Sequence, residues 1–256
     1  MTETHLTHTH AIEQTTTAGY RFFHRAGTPS ENSPARARYR GVGIFVLDSP
    51  GLHVERMKDP PVDGVLVLQI NHASWARPYL IIATYCPGAN AASATHRASV
   101  IDTTVSIINR RRNTHIPIAA GDFNARTGTV SECRDLPPRS NPDLAAPDNN
   151  GRILLASLQE NTVAFANTRI HGRGGYTRIP KGTQRGNPST IDYMLCCPEH
   201  LTYLTRCDIY DGSHHGHPGK RAKYGNRMRS HPTNDVGSDH CLMTLRTQPP
   251  SSSNEI

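Results

Sequence analysis

Long apolar runs are missing from this sequence, as no window approaches eighteen consecutive apolar residues, so no helix of it is expected to cross a bilayer. Aromatics make up 6% and all hydrophobic types 36% of its 256 residues, a lowish share for a globular chain. With 19 prolines and 20 glycines, the expected protein is one compact core with long loops. The six cysteines at 86, 133, 196, 197, 207 and 241 include no C-x-x-C pair, and no apolar stretch marks the N-terminus. That pattern argues against a secreted disulfide framework and for reduced intracellular thiols. Cys86, Cys196, Cys197 and Cys241 lie in or beside apolar runs, where they read as small buried hydrophobes.

Acidic residues are absent from two stretches. Gly212 to Asn234 carries five Lys/Arg and four His, and Thr168 to Asn187 carries Arg169, Arg173, Arg178, Lys181 and Arg185. With a net charge of +7 and a pI near 9.3, the chain suits a polyanionic partner. Solvated surface loops are the competing reading of both stretches.

Hydrophobic patterning supplies the elements. Arg40–Leu47, Val65–Ile70 and Tyr79–Tyr85 have the β-branched and aromatic content of buried strands, and their succession predicts one antiparallel sheet. From Ser93 to Arg112 the period becomes helical, with Ile101, Val105 and Ile108 on one face and Arg110–Arg112 in the last turn. Ile116–Ala120 then reads as a strand running into Gly121 and Asp122. Beyond a proline-rich, irregular stretch from 127 to 147, a second helix is predicted from Asn150 to Leu158. Strands follow at 162–166, 189–195, 203–209 and 241–245. With no repeat and no clean linker, the expectation is one domain over 1–247 and a disordered tail over 248–256.

Three polar sites interrupt these apolar runs. Gly121-Asp122-Phe123-Asn124 closes one strand, and if that strand continues to Asn124 both polar side chains share a face. Taken alone, the run is equally well explained as a turn. Asp192 sits inside Ser189-Thr-Ile-Asp-Tyr193, where an unpaired carboxylate is costly and a partner is expected. His240, in Gly237-Ser-Asp-His240, is the natural candidate, because an Asp–His pair fixes the imidazole tautomer. Carboxylates, an amide and an imidazole at strand ends can hold a divalent metal and activate water.

Gly-Asp-Phe-Asn, Ser-x-Ile-Asp-Tyr and Gly-Ser-Asp-His, in this order, resemble the signature of the endonuclease/exonuclease/phosphatase superfamily. Ala83-Thr-Tyr85-Cys-Pro87 is similar to that family's tyrosine-bearing strand end. Asn150-Gly-x-x-Leu154 through Asn167-Thr168 resembles the spacing in endonuclease domains of non-LTR retrotransposons. The resemblance covers most of residues 40–247.

It implies an α/β fold, a four-layered sandwich of two packed mixed sheets flanked by helices, and metal-dependent phosphodiester cleavage. It also implies roles. Asp122 would position or activate the attacking water, Asn124 would hold that water or the scissile phosphate, His240 would pair with Asp192, and Tyr85 would contact phosphate. Asp239 would help hold the metal, Mg²⁺ or alternatively Mn²⁺. Glu3, in Glu3-Thr-His-Leu6, matches the family's metal-binding glutamate, and its nearness to Met1 raises the expectation of a truncated first strand. Arg178, Lys181, Arg185, Lys220, Arg221, Lys223, Arg227 and Arg229 would track a nucleic-acid backbone.

The expected partner is double-stranded DNA, with a reverse transcriptase encoded in the same element, no membrane association and a nuclear location. The competing expectations are a truncated relic that binds nucleic acid without cleaving it, and a same-fold RNA nuclease or inositol/lipid phosphatase.

Overall fold

The computed structural model describes residues 15–17, 19–27, 41–88, 92–170, 175–180, 187–210, 240, 242–248 and 250. In chain order the strands are β1 (Thr15–Thr17), β2 (Tyr20–Arg25), β3 (Val42–Leu47), β4 (Leu52–Arg56), β5 (Val65–His72) and β6 (Tyr79–Tyr85). Helix α1 (Ala94–Arg111), β7 (Ile116–Asp122) and helix α2 (Asn149–Asn161) follow. Then come β8 (Ala164–Phe165), β9 (Asp192–Cys196), a 3₁₀ turn (Pro198–Tyr203), β10 (Leu204–Tyr210) and β11 (Leu242–Thr247). The central sheet has the order β4-β5-β6-β7-β9-β8, while β1-β2-β3 and β10-β11 form two smaller sheets.

Alternation along the central strands sorts side chains onto two faces. Leu80, Ile82, Ala119, Tyr193 and Leu195 meet Val100, Ile101, Val105 and Ile108 of α1 and Leu154, Leu155 and Leu158 of α2. On the other face, Leu66, Leu68, Ala83 and Tyr85 pack on Phe23, Val42 and Val46 of the three-stranded sheet. Ile116, Ile118, Met194 and Cys196 pack on Leu204, Cys207, Met243 and Leu245 of β10 and β11. The result is an α/β fold of packed sheets, with both long helices on the far side of the central sheet.

The helix boundaries have local causes. Ser93 Oγ accepts from His96 N at 3.1 Å and caps α1, and Arg110 and Arg111 complement the dipole at its end. Asp148 Oδ1 accepts from Gly151 N at 2.7 Å and caps α2, which ends on Thr162 in the left-handed region with φ 52°.

The predicted single antiparallel sheet of three successive strands is corrected here. β3 belongs to a different sheet from β5 and β6, where it pairs with β2 through Phe22↔Phe45 and Phe23↔Ile44, and β4 intervenes in sequence. Tyr20–Arg25, with arginines inside and at its end, gave no apolar run to announce its strand. Past β11, Gln248 N donates to Tyr203 O at 2.8 Å, and Pro250 O accepts from Ala76 N at 3.1 Å.

The proline-rich stretch after β7 is irregular, yet densely bonded. Glu132, fully buried, lies 3.1 Å from Arg169 and 4.0 Å from Arg139, whose guanidinium stacks 3.9 Å over the Phe165 ring. Arg126 grips Asp143 through two bonds of 2.8 and 3.0 Å, and Asp143 also accepts from Thr190 N at 3.2 Å. That last bond ties the loop to the start of β9.

Burial pushes the Asp143 carboxyl up, but Arg126 and the backbone N–H groups of Thr190 and Ala145 outweigh it and hold the group below its usual value. A carboxylate with a lowered folded pKa adds stability that is present above its unfolded value, near 3.9, and is lost as pH falls through the folded value. Arg126→Ala is therefore expected to lower the urea midpoint at pH 6 to 7, and the gap to the wild-type chain should close progressively below about pH 4. A gap that is constant with pH would mean that Arg126 acts through packing alone.

Candidate active site

Register and strand direction build the site. Tyr85 is paired with Asp122 in parallel β6–β7, and Asp122 with Asp192 in antiparallel β7–β9. Cross-strand partners share a face, so all three side chains point away from the helices and toward the smaller sheets. Gly121 permits the approach of β6 and β7 here, because a Cβ at that position would fall 1.7 Å from Thr84 O.

The imidazole of His240 completes the group. Its Nδ1 lies 2.9 and 3.0 Å from the two Asp192 oxygens, and its Nε2 lies 3.9 Å from Asp122 Oδ2. An ionised carboxylate only accepts, so Nδ1 carries the proton and Nε2 is the nitrogen turned toward Asp122. One ligand atom from each of Asp122, Asp192 and His240 falls within 4.8 Å of the others, a spacing that could hold a metal ion. The side chains of Asp122 and Asp192 are 3% and 10% exposed, against 24% for His240, so the imidazole forms the open side.

Asn124 takes a different place from the one predicted. The strand ends at Asp122, and Asn124 turns into the left-handed region with φ 45°. From there its backbone N–H donates to Asp122 Oδ1 at 2.7 Å, and its side-chain amide donates to Asp122 Oδ2 and to Cys86 O, each at 2.9 Å. The amide is thus spent on aiming Asp122. Tyr85 is 5% exposed and packs with Phe23 and Val42, and its N–H donates to Gly64 O at 2.8 Å.

Several polar residues hold this arrangement in roles that the sequence did not announce. Thr177 Oγ1, fully buried, accepts from the N–H groups of both Ile191 and Asp192 at 3.0 Å. Arg178 bridges Ser189 and His240 through its backbone, so the segment 177–178 positions both members of the Asp192–His240 pair. Asn167 donates to Asp192 O at 3.3 Å and accepts from Met194 N at 3.1 Å. A signal existed in the Thr-Arg and Asn-Thr dipeptides beside strands, but such residues read as turn formers. Cys86 Sγ is no nucleophile here, since burial and then Asp122 push its thiol up to about 12.

Of the expected cationic contacts, Arg178 lies beside the site, opposite His240. Arg169, in the same acid-free run, is instead buried against Glu132. Glu3, Asp239, Lys181, Arg185, Lys220, Arg221, Lys223, Arg227 and Arg229 lie outside the described residues. No described helix is long and apolar enough to cross a membrane.

Solved structures share this architecture. The Xenopus laevis APE2 catalytic domain matches with a TM-score of 0.59 at 15% identity, over 98% of this chain and 83% of that one. The AP endonuclease LMAP from Leishmania major gives 0.58 at 15% identity, over 91% and 72%. The endonuclease domain of TRAS1, a telomere-specific non-LTR retrotransposon, gives 0.56 at 16% identity, over 91% and 81%. Neither the family models nor the curated proteins compared with the sequence give a match. At these identities the likeness is one of fold.

Thr177→Val keeps the shape of the side chain and removes the oxygen that two buried N–H groups use. The expected cost is about 1–3 kcal/mol for each group left unpaired, read from urea unfolding. A loss under about 0.5 kcal/mol would show that the Asp192 strand end does not depend on this hydroxyl.

Proposed function

We propose that this chain is a divalent-metal-dependent phosphodiesterase, and specifically an endonuclease that nicks double-stranded DNA for a non-LTR retrotransposon. The observation that carries the reading is the convergence of Asp122, Asp192 and His240, drawn from two adjacent strands and a third segment, with ligand atoms within 4.8 Å. Buried acids set directly opposite each other are costly, and a site that binds cations and phosphate is the setting in which such a pair is useful. The fold supports it, since the matching structures include an AP endonuclease and a retrotransposon endonuclease domain.

The chemistry follows from the geometry. With Nδ1 committed to Asp192, Nε2 of His240 faces the gap to Asp122 Oδ2, and a water or phosphate oxygen placed there would contact both. Asp122, held at both oxygens by Asn124, is the acceptor that orients the attacking water and takes its proton. His240, held at Nδ1 by Asp192, would donate from Nε2 to the phosphoryl oxygens once that nitrogen is protonated as well.

The donor set fits a hard divalent cation. Carboxylate oxygens suit Mg²⁺, and an adjacent imidazole extends the fit to Mn²⁺. Glu3 and Asp239 are the proposed holders, beside the two described carboxylates. Such an ion, when bound, would supply charge neutralisation at the phosphate. Arg178 would contact a flanking phosphate, with Lys181, Arg185, Lys220, Arg221, Lys223, Arg227 and Arg229 extending a contact that is sequence-blind and salt-dependent. Within a retrotransposon the 3′ hydroxyl at the nick would prime a reverse transcriptase encoded in the same element, which places the activity in the nucleus.

Supercoiled plasmid tests the reading. Nicking is expected with Mg²⁺ or Mn²⁺ and is lost with EDTA, and His240→Ala should lower the rate by about 10²–10⁴-fold. Folded protein without metal-dependent cleavage of DNA, RNA or an inositol phosphate would contradict it, and DNA binding that His240→Ala leaves unchanged would then support a non-cleaving binder.

A further inference from the structure

We propose that Asn150, aimed by Arg97, is a positioning residue for Asp122, an inference that rests on the phosphodiesterase reading above. An unbroken series of buried and part-buried hydrogen bonds runs from the helix layer into the site. Arg97 Nε donates to Asn150 Oδ1 at 2.8 Å, Asn150 Nδ2 donates to Asn124 O at 2.9 Å, and Asn124 donates to both oxygens of Asp122. Arg97 and Asn150 are 6% and 4% exposed, so neither link competes with bulk water.

The direction of each link is forced. A guanidinium can only donate, so Arg97 fixes which end of the Asn150 amide is oxygen, and the amide NH₂ must then face the Asn124 carbonyl. Arg97 is itself anchored by a donor bond to the Ala92 carbonyl, at the entry to α1. At the residue after Asn150, Gly151, a Cβ would fall 1.8 Å from Arg126 O, so the first turn of α2 is pressed against the loop that leaves Asn124.

What the series maintains is an uncommon backbone state. Asn124, at φ 45°, brings its side-chain amide to Asp122 from this left-handed conformation, which a non-glycine residue holds where its surroundings over-determine it. The bond from Asn150 to the Asn124 carbonyl fixes the peptide plane on the far side of that turn. Without it, Asn124 can relax toward extended backbone, and Asp122 loses the side-chain donor of Asn124. Asn150 touches no reacting atom, and its effect passes through Asn124.

Asn150→Asp separates this role from simple packing. The substitution keeps the size and strengthens the bond from Arg97, but it removes the donor to Asn124 O. We expect a melting temperature lowered by a few degrees, kcat for plasmid nicking lowered about 10- to 100-fold at a temperature where the variant is fully folded, and KM changed by less than about twofold. The second readout is the Asn124 side-chain NH₂ pair in a ¹H–¹⁵N spectrum, whose proton bonded to Asp122 Oδ2 at 2.9 Å is expected to move upfield in the variant. Should Asn150→Asp not fold, Asn150→Ala is scored on the same readouts.

A folded variant with wild-type kcat and an unmoved Asn124 resonance overturns the proposal, as does a loss of activity that only tracks a loss of stability. A wild-type chain that cleaves nothing sinks the phosphodiesterase reading instead. In that case the amide resonance alone decides whether Asn150 sets the conformation of Asn124.

Discussion

Two carboxylates face each other across one strand pair, and the rest of the site answers that constraint. The β7–β9 register sets Asp122 directly opposite Asp192, both nearly buried, in a position where like charges repel. An arrangement that costs stability persists when neighbouring groups compensate it and when function uses it. The compensation is visible on every side. His240 Nδ1 spans both Asp192 oxygens, Asn124 covers both Asp122 oxygens, and Thr177 holds the backbone beneath Asp192.

Each of those partners is delivered by a different layer. Asn124 is fixed from the helix side, through Asn150 and Arg97, while His240 comes in on the chain that leads into β11 and is paired in backbone with Arg178. The proline-rich loop contributes through Asp143, which binds the amide of Thr190 just before β9. The irregular segment is therefore part of the scaffold of the site, held by ion pairs rather than by a regular ladder.

The acids of the site were legible in the sequence because they interrupt apolar runs. Asp122 closes Ile116–Ala120 and Asp192 sits within Ile191–Leu195, and a charge in such a place demands a reason. His240 was legible as the partner that Asp192 requires. The positioning roles of Asn150, Arg97, Asn167 and Thr177 were not, although Asn150 and Asn167 belong to the family spacing, because polar residues at helix starts and strand ends usually cap or turn, and their role depends on bonds between residues far apart in sequence, up to 53 positions for Arg97 and Asn150. The same physics hid the order of the 127–147 loop, whose Glu132 is answered by Arg169, 37 positions away. β2 was hidden for another reason: its strand character comes from pairing Phe22 and Phe23 with β3, while its own arginines mask the apolar pattern. The alternation rule also did not apply to Asn124, since the strand stops two residues before it.

The central claim is that the Asp122–Asp192 pair is an electrostatic liability maintained for cation binding. Thermal unfolding of the wild-type chain and of Asp192→Asn, each with EDTA and with saturating Mn²⁺, tests it most directly. The account predicts that Mn²⁺ raises the wild-type melting temperature, by the linkage that binding to the folded state imposes, and raises that of Asp192→Asn much less. If Mn²⁺ leaves the wild-type chain unchanged, or stabilises Asp192→Asn equally, the opposed carboxylates do not form a cation site and the account fails.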